Sequence, residues 1–433
     1  MARQQSKTSK TVAAPALAID GGPKTLSRPL PPWPQFDRAT DAKVLDILHS
    51  GRVNYWTGPC GRAFEEVFAK WLGTGNAVAV TNGTAALHVA LAALGVGPGD
   101  EVVCTPYSFM ASSFCALQAG ARPVFADVGE DHLLNAKTIE AAITPRTKAV
   151  VVVHLYGLVA DMDPIVEMAR RHGLFVIEDC AQCLGGTYKG RKVGTLGDVG
   201  CFSFCQSKHF TTGGEGGMVC CNDDALSWEC RSLRDHGCDI AARLLGTGNG
   251  KATIFKRVGY NFRMTELQSA IGLGELARFD KWNLPRRARL AKTLLDGLAG
   301  HPLVKRLPQP TPERTPSFWL VPVTLDMKRL KKGVTALRFA QALQAEGVGA
   351  YAILWPEMFR EEAFQKRRGF GSKGYPFGDP SFGEPIDYTK CRCPVAHRLL
   401  ASTIGFWVHP TYAPAHMRAA VAAFRKVADA WMA

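Results

Sequence analysis

The chain has 433 residues, with 52 Lys and Arg against 38 Asp and Glu, giving a formal net charge of +14. Hydrophobic residues make up 46% and charged residues 21%, which excludes intrinsic disorder for the bulk of the chain. No run approaches the ~18 uninterrupted apolar residues of a membrane helix, and no Lys/Arg stripe alternates with aromatics. Neither a membrane nor nucleic acid is therefore expected as a partner.

Residues 1–19 carry Arg3, Lys7 and Lys10 with no acid before Asp20, and read as a flexible basic tail. Their apolar run, Val12 to Ile19, is short and broken by Pro15, a poor signal-peptide core. Residues 20–284 read as a large α/β domain. Phe64, Val67, Phe68 and Trp71 recur at helical spacing. Ala77–Val80 is a short strand, and Thr84–Leu94 an Ala/Leu-rich helix. Glu101–Cys104, Ala149–His154, Phe175–Ile177, Gly200–Phe204 and Met218–Cys221 are β-rich runs of the kind buried in parallel sheets, with a helix at Asp163–His172. This alternation predicts a mostly parallel central sheet with helices on both faces, and a ligand at the carboxyl ends of the strands.

A helical stretch from Thr265 to about Leu298 then connects to a smaller C-terminal α+β domain, 285–433. Strands are predicted at Phe318–Leu325 and Thr403–Val408, and helices at Thr335–Glu346 and about Ala415–Trp431. Within this domain, 365–394 has no periodicity and is loaded with Gly, Pro and aromatics, as functional or disordered loops are.

Thirteen cysteines scattered from Cys60 to Cys393 are too sparse for a secreted scaffold. Buried free thiols in a reducing, cytoplasmic setting are expected. Cys180-Ala-Gln-Cys183 has redox or metal spacing; Cys391-Arg-Cys393 is too tight for a zinc knuckle and has no histidine pair beside it. No metal is expected.

Four strand ends gather reactive residues. Val80-Thr81-Asn82-Gly83-Thr84-Ala85 is a strand, a glycine turn and a helix start, whose free N–H groups and Thr84 hydroxyl suit a phosphate. Phe175–Ile177 runs into Glu178 and Asp179, either a helix cap or a partner for a charged ring nitrogen. Ser203 lies five residues before Lys208, a lysine that near a carbonyl cofactor becomes a Schiff-base nucleophile. Gly213-Gly214-Glu215-Gly216-Gly217 supplies a turn that no side chain obstructs. With Phe109 near another strand end, this set is what pyridoxal 5′-phosphate requires: phosphate cradle, ring-nitrogen carboxylate, aromatic and lysine.

The order Asn82-Gly83-Thr84-Ala85, Glu178-Asp179-Cys180-Ala181-Gln182, Ser203-Phe204 with Lys208, Gly214-Glu215-Gly216-Gly217 and Gly259-Tyr260-Asn261-Phe262-Arg263-Met264 resembles the DegT/DnrJ/EryC1/StrS family of fold-type I pyridoxal-phosphate sugar aminotransferases. The resemblance runs from about Asp20 to the C-terminus, leaving out the tail and loop 365–394. It implies that Lys208 is the Schiff-base lysine and Asp179 the partner of the pyridine nitrogen. Gln182 falls near the ring's 3′ oxygen, and Phe109 stacks on the ring. Gly83, Thr84, Ala85 and Ser203 meet the phosphate, and Asn261 reaches it from a second subunit, which implies a homodimer with composite sites. Cys205 stands where relatives often have His or Tyr. Dehydratase relatives carry histidine in place of the lysine; with Lys208 present and His209 beside it, transamination is favoured.

By the same resemblance the acceptor is a keto-sugar, nucleotide-linked, or a keto-cyclitol such as scyllo-inosose, with glutamate or glutamine as donor. Lys366, Arg367, Arg368 and Lys373 either meet a nucleotide diphosphate or form a solvated basic loop. The alternatives are an aromatising enzyme of the 3-amino-5-hydroxybenzoate synthase type, loosely suggested by 154–163, and a non-catalytic sugar-binding regulator on the same scaffold.

Overall fold

The computed structural model describes residues 16–244, 255–352, 356–384 and 386–433. Most of the basic tail assigned to 1–19 lies outside them. The central sheet is built from β1 (Asn76–Val80), β2 (Glu101–Cys104), β3 (Arg122–Phe125), β4 (Thr147–Val153) and β5 (Phe175–Asp179). After a small hairpin of β6 (Thr187–Tyr188) and β7 (Arg191–Lys192), β8 (Val199–Ser203) and β9 (Gly217–Cys221) complete it. The order is β1-β9-β8-β5-β4-β2-β3. Only β9 is antiparallel to its neighbours; β3, β2, β4, β5 and β8 run parallel. Runs such as Val150–Val153 are buried along their whole length, as strands covered on both faces must be.

The stretch expected as one connecting helix is two. Thr265 and Gln268 form a capping box at the start of helix 266–278. Five residues of π-helical turn, Phe279–Asn283, then lead into helix 284–298, which has Pro285 in its first turn. Proline lacks the N–H that would continue the α-helical ladder, so the break falls there.

Beyond this connector lie β10 (Val304–Arg306), β11 (Arg314–Thr315), β12 (Leu320–Leu325), β13 (Ala350–Ala352) and β14 (Thr403–Trp407). Four of them form an antiparallel sheet, β10-β12-β14-β13, against which helices 336–345 and 414–431 pack. β11 instead pairs with β6, tying this part of the chain to the β6–β7 hairpin in a separate three-stranded sheet. The first described residues also belong here in space. Buried Glu346 accepts from the Ala18 and Thr25 N–H groups at 2.8 and 2.9 Å, and Lys426 joins Glu346 to the Pro23 carbonyl. A buried carboxylate must find such partners, and the chain's early segment supplies them.

Loop 365–394 is a strap packed along the β3 edge. Phe364, Phe377 and Tyr388 cluster on Phe125, and the Tyr388 hydroxyl donates to the Pro123 carbonyl at 2.9 Å. Buried Arg122 donates to the Phe377 and Glu384 carbonyls and stacks on Phe382 at 3.8 Å. Lys366 and Arg368 both pair with Glu362, at 3.3 and 2.6 Å, so two of the loop's four basic side chains share one local carboxylate. No helix among the described residues is long and apolar enough to cross a membrane. All thirteen cysteines are free, and eleven are buried.

Candidate active site

Because successive side chains on a strand face opposite ways, the two carboxylates ending β5 have different surroundings. Glu178 turns into the protein: it accepts from His154 Nε2 at 3.0 Å and from the Gly194, Leu196 and Gly197 N–H groups at 2.7 Å. His154 Nδ1 accepts the Ala160 N–H, so this buried cluster with Cys180 is a lock on loop 194–197, its lone pairs already used. Asp179 turns to the other face. Its carboxylate accepts the Ser112 hydroxyl at 2.7 Å and the Ala181 N–H at 3.1 Å. Ser112 is held by Ser108, one helical turn away, at 3.1 Å.

β8 lies beside β5, and the chain leaving it carries Lys208. The Lys208 side chain is half-buried, and burial lowers the pKa of its ammonium, opposed chiefly by the negative charge of Asp179. His209 faces away, with Nε2 3.3 Å from the Ser317 carbonyl, and burial beside Arg287 keeps its ring neutral. Phe109 precedes the Ser112 helix by half a turn and is 56% exposed, an apolar platform at the mouth of the site. Gln182 is buried, and its Oε1 accepts the Tyr156 N–H at 3.0 Å, which leaves the amide NH₂ as its donating end.

At the next strand end, helix 83–93 begins against Ser203. Asn82 caps it, accepting the Ala85 N–H at 2.8 Å. Ala85 therefore gives its N–H to the cap, and the Gly83 and Thr84 N–H groups and the Thr84 hydroxyl are the donors facing the turn. A Cβ on Gly83 would lie 2.7 Å from Ser203 Cβ, and one on Gly217 would strike the Asn82 carbonyl. Glycine at both positions keeps a hollow lined by N–H groups at a helix N-terminus. Such a hollow fits a phosphate. With Phe109, Asp179 and Lys208 beyond it, the residues present fit pyridoxal 5′-phosphate as a whole.

Asn261 lies on an exposed segment fixed to the β1 edge: Phe262 accepts the Thr81 N–H at 2.9 Å, and Asn261 bridges to Asp235. Phe255 and Val258 on the same segment are also exposed.

The sequence model of the DegT/DnrJ/EryC1/StrS aminotransferase family matches residues 34–379. The chain belongs to that family. GDP-perosamine synthase of Caulobacter vibrioides is 42% identical over 331 residues, 75% of this chain and 83% of that protein. L-glutamine:scyllo-inosose aminotransferase of Streptomyces griseus is 36% identical over 434 residues, 96% of this chain and 98% of that protein. The solved aminotransferase from Psychrobacter cryohalolentis superposes with a TM-score of 0.81 at 37% identity, covering 91% of this chain and 98% of that one. This chain is accordingly an aminotransferase of fold type I.

Within this family member, several site residues escaped the sequence. Ser112 orients Asp179, and its only signal is the i, i+4 spacing from Ser108 at a helix start. Trp33 and Trp319, which donate to the Lys208 and Ser207 carbonyls, come from segments far from Lys208 in the chain and carry no local signature. Cys180 and Cys183 are both buried, and burial pushes the Cys183 thiol up to about 12, so the CxxC pair is neutral packing.

The cradle makes one prediction. Gly83→Ala should weaken cofactor retention by roughly 10- to 100-fold, the effect of ~1–3 kcal/mol of overpacking against a neighbour that is part of the sheet. Gly75→Ala is the control, since its Cβ meets nothing closer than 3.5 Å. Equilibrium dialysis of pyridoxal 5′-phosphate against both variants measures the difference; equal affinities would remove Gly83 from the cradle.

Proposed function

We propose that this aminotransferase binds pyridoxal 5′-phosphate and moves an amino group from glutamate or glutamine to a keto-sugar, nucleotide-linked, or to a keto-cyclitol. The observation that carries the reading is the pairing of adjacent strand ends. β5 presents Asp179, oriented by Ser112, and the chain after β8 presents Lys208, with the Gly83–Thr84–Ser203 hollow beside them. The names of the two relatives above, a perosamine synthase and a scyllo-inosose aminotransferase, support the acceptor class.

The cofactor, when bound, supplies an aldehyde carbon that takes the amino group and a pyridinium ring that withdraws electrons from it. Asp179 holds the proton on the ring nitrogen. Its two accepted hydrogen bonds fix the carboxylate's direction, so no reorganisation is needed as charge develops. Lys208 first acts as nucleophile, for which burial helps by favouring the neutral amine. With the cofactor bound, the same amine would be placed to carry the proton between the substrate carbon and the cofactor carbon. Gln182, its Oε1 held by the Tyr156 N–H, would offer its NH₂ to the ring's 3′ oxygen, and Phe109 would cover a ring face. Intact Lys208 and Asp179 argue against a non-catalytic regulator.

The test is a single-turnover assay. The cofactor-loaded enzyme is first aminated with glutamate or glutamine, then offered a panel of nucleotide-linked keto-sugars and keto-cyclitols. Return of the absorbance of the aldehyde form with one acceptor class identifies it. Amination by the donor followed by no reaction with any member would overturn the acceptor assignment; absence of bound cofactor would overturn the whole reading.

The homodimer belongs to the same reading. Exposed Asn261, beside exposed Val258 and Phe255, is available to a second copy. Lys208→Ala and Asn261→Asp chains, each inactive alone, should regain up to about a quarter to half of wild-type activity per site when mixed, because one hybrid site takes both intact residues. The aspartate is chosen because its charge repels the phosphate. Mixed dimers that form without recovery would mean that Asn261 serves its own chain's site.

A further inference from the structure

Lys208 presents an unmet requirement. It is a half-buried cation, yet among the described residues no carboxylate oxygen lies within 4.0 Å of its Nζ. Its Nζ instead lies over the face of Trp319, 4.6 Å from the ring centroid. The same indole donates its Nε1–H to the Ser207 carbonyl at 2.6 Å, and the Trp33 Nε1–H reaches the Lys208 carbonyl at 3.2 Å. Two indoles from outside the central sheet thus grip the backbone that bears the amine.

Trp319 is itself fixed. It is 8% exposed and meets Trp407 edge-on, with centroids 5.0 Å apart. Its backbone N–H donates to the Tyr156 carbonyl, and the Ser317 N–H to the Gly157 carbonyl, both at 3.0 Å. This seam has left-handed backbone on both sides: Tyr156 at φ 62° and Phe318 at φ 48°. For aromatic residues that conformation is disfavoured, and it persists where surrounding contacts determine it. A Cβ on Gly157 would lie 2.5 Å from the Phe318 and Trp319 nitrogens, so the close approach needs glycine there. The seam places the Tyr156 N–H on Gln182 and the Trp319 ring on Lys208 at once.

We propose that Trp319 is a positioning residue whose ring face receives the Lys208 ammonium whenever that amine is not bonded to the cofactor, holding it in the site for the proton transfer that follows. This rests on the reading of Lys208 as the Schiff-base lysine. The ring's negative face stabilises the cation where no carboxylate touches it, and a ring, unlike a carboxylate, leaves the proton free to be given up. Tryptophan also supplies the N–H that ties the ring to Ser207, which phenylalanine cannot.

The experiment uses the full chain loaded with pyridoxamine 5′-phosphate, which leaves Lys208 a free amine. Trace acetylation with acetic anhydride across pH, followed by peptide mapping, gives the midpoint of Lys208 titration. The ring favours the ammonium, so Trp319→Leu should lower that midpoint by about half to one unit. Trp319→Phe, which keeps a ring face, should stay within a few tenths of wild type. Asp179, Cys205 and Glu215, the other titratable groups acting on this amine, and the neighbouring His209, whose ring faces away, are the same in each variant, so their effects cancel. Trp319→Met and Trp319→Tyr are a second pair in case either first variant fails to fold. A midpoint that is unchanged or raised without the ring, or equal shifts in both kinds of variant, would overturn the proposal. Borohydride trapping of pyridoxal 5′-phosphate on Lys208 in the same variants separates the outcomes. Trapping with unmoved midpoints removes Trp319 alone, whereas no trapping in wild type removes the reading beneath it.

Discussion

Lys208→Ala should lower turnover by at least about 10⁴-fold, the upper range for a positioned proton carrier, because the same side chain is also the nucleophile. Its fold should survive. The Trp33 Nε1–H and Trp319 Nε1–H bonds go to the backbone carbonyls of residues 208 and 207, which alanine leaves in place. The lost contact is one half-buried ammonium over a ring, so the melting temperature should move by only a few degrees. Borohydride reduction of the loaded wild-type chain and peptide mapping should put the label on Lys208. Lys189 already pairs with Asp163 at 2.7 Å, and Lys192 with the Trp71 carbonyl at 2.6 Å. A label on either of these would sink the assignment of Lys208.

Asp179→Asn should cost roughly 10²–10³-fold in turnover while changing cofactor affinity by less than about tenfold. Asparagine keeps the shape, and its carbonyl oxygen can still accept from Ser112 or Ala181. It has no charge with which to hold a proton on the ring nitrogen, and losing the charged partner of a buried cation costs about 3–4 kcal/mol. The phosphate hollow at Gly83, Thr84 and Ser203 lies at other strand ends and is untouched. Pre-steady-state amination by the donor, compared with a cofactor titration, separates the two effects. Near wild-type turnover with bound cofactor would show that Asp179 does not act on the ring. Ser112→Ala extends the argument: it removes one of the two bonds that aim the carboxylate and should cost less than Asp179→Asn.

Much of the fold is written in local pattern. β1, β2, β5, β8 and β9 each lie within about two residues of an apolar run visible in the sequence, and the helices at 83–93, 162–172 and 414–431 follow period and composition closely. β3 and β13 carry no such signal: β3 opens on Arg122-Pro123, a charge and a proline, and β13 is three residues of which two are alanine. The reversal of β9 was equally unreadable: a buried strand has the same composition in either direction.

The chemistry divides along the same line. Lys208, Asp179, Ser203 and the Gly83 turn could be read because each follows a buried strand within a few residues, and a parallel sheet gathers such strand ends at one edge. Which of Glu178 and Asp179 faces that edge was set by strand pairing, since a shift of one residue would have exchanged them. Loop 365–394, aperiodic in sequence, acquires its order from Arg122 and Phe125 some 250 residues away. The two indoles on the Ser207–Lys208 backbone come from residues 33 and 319. The sequence by itself therefore determined the reactive groups and the sheet that aligns them. The tertiary structure decided their orientation and surroundings, because those depend on contacts between segments far apart in the chain, on which local propensity and spacing carry no information.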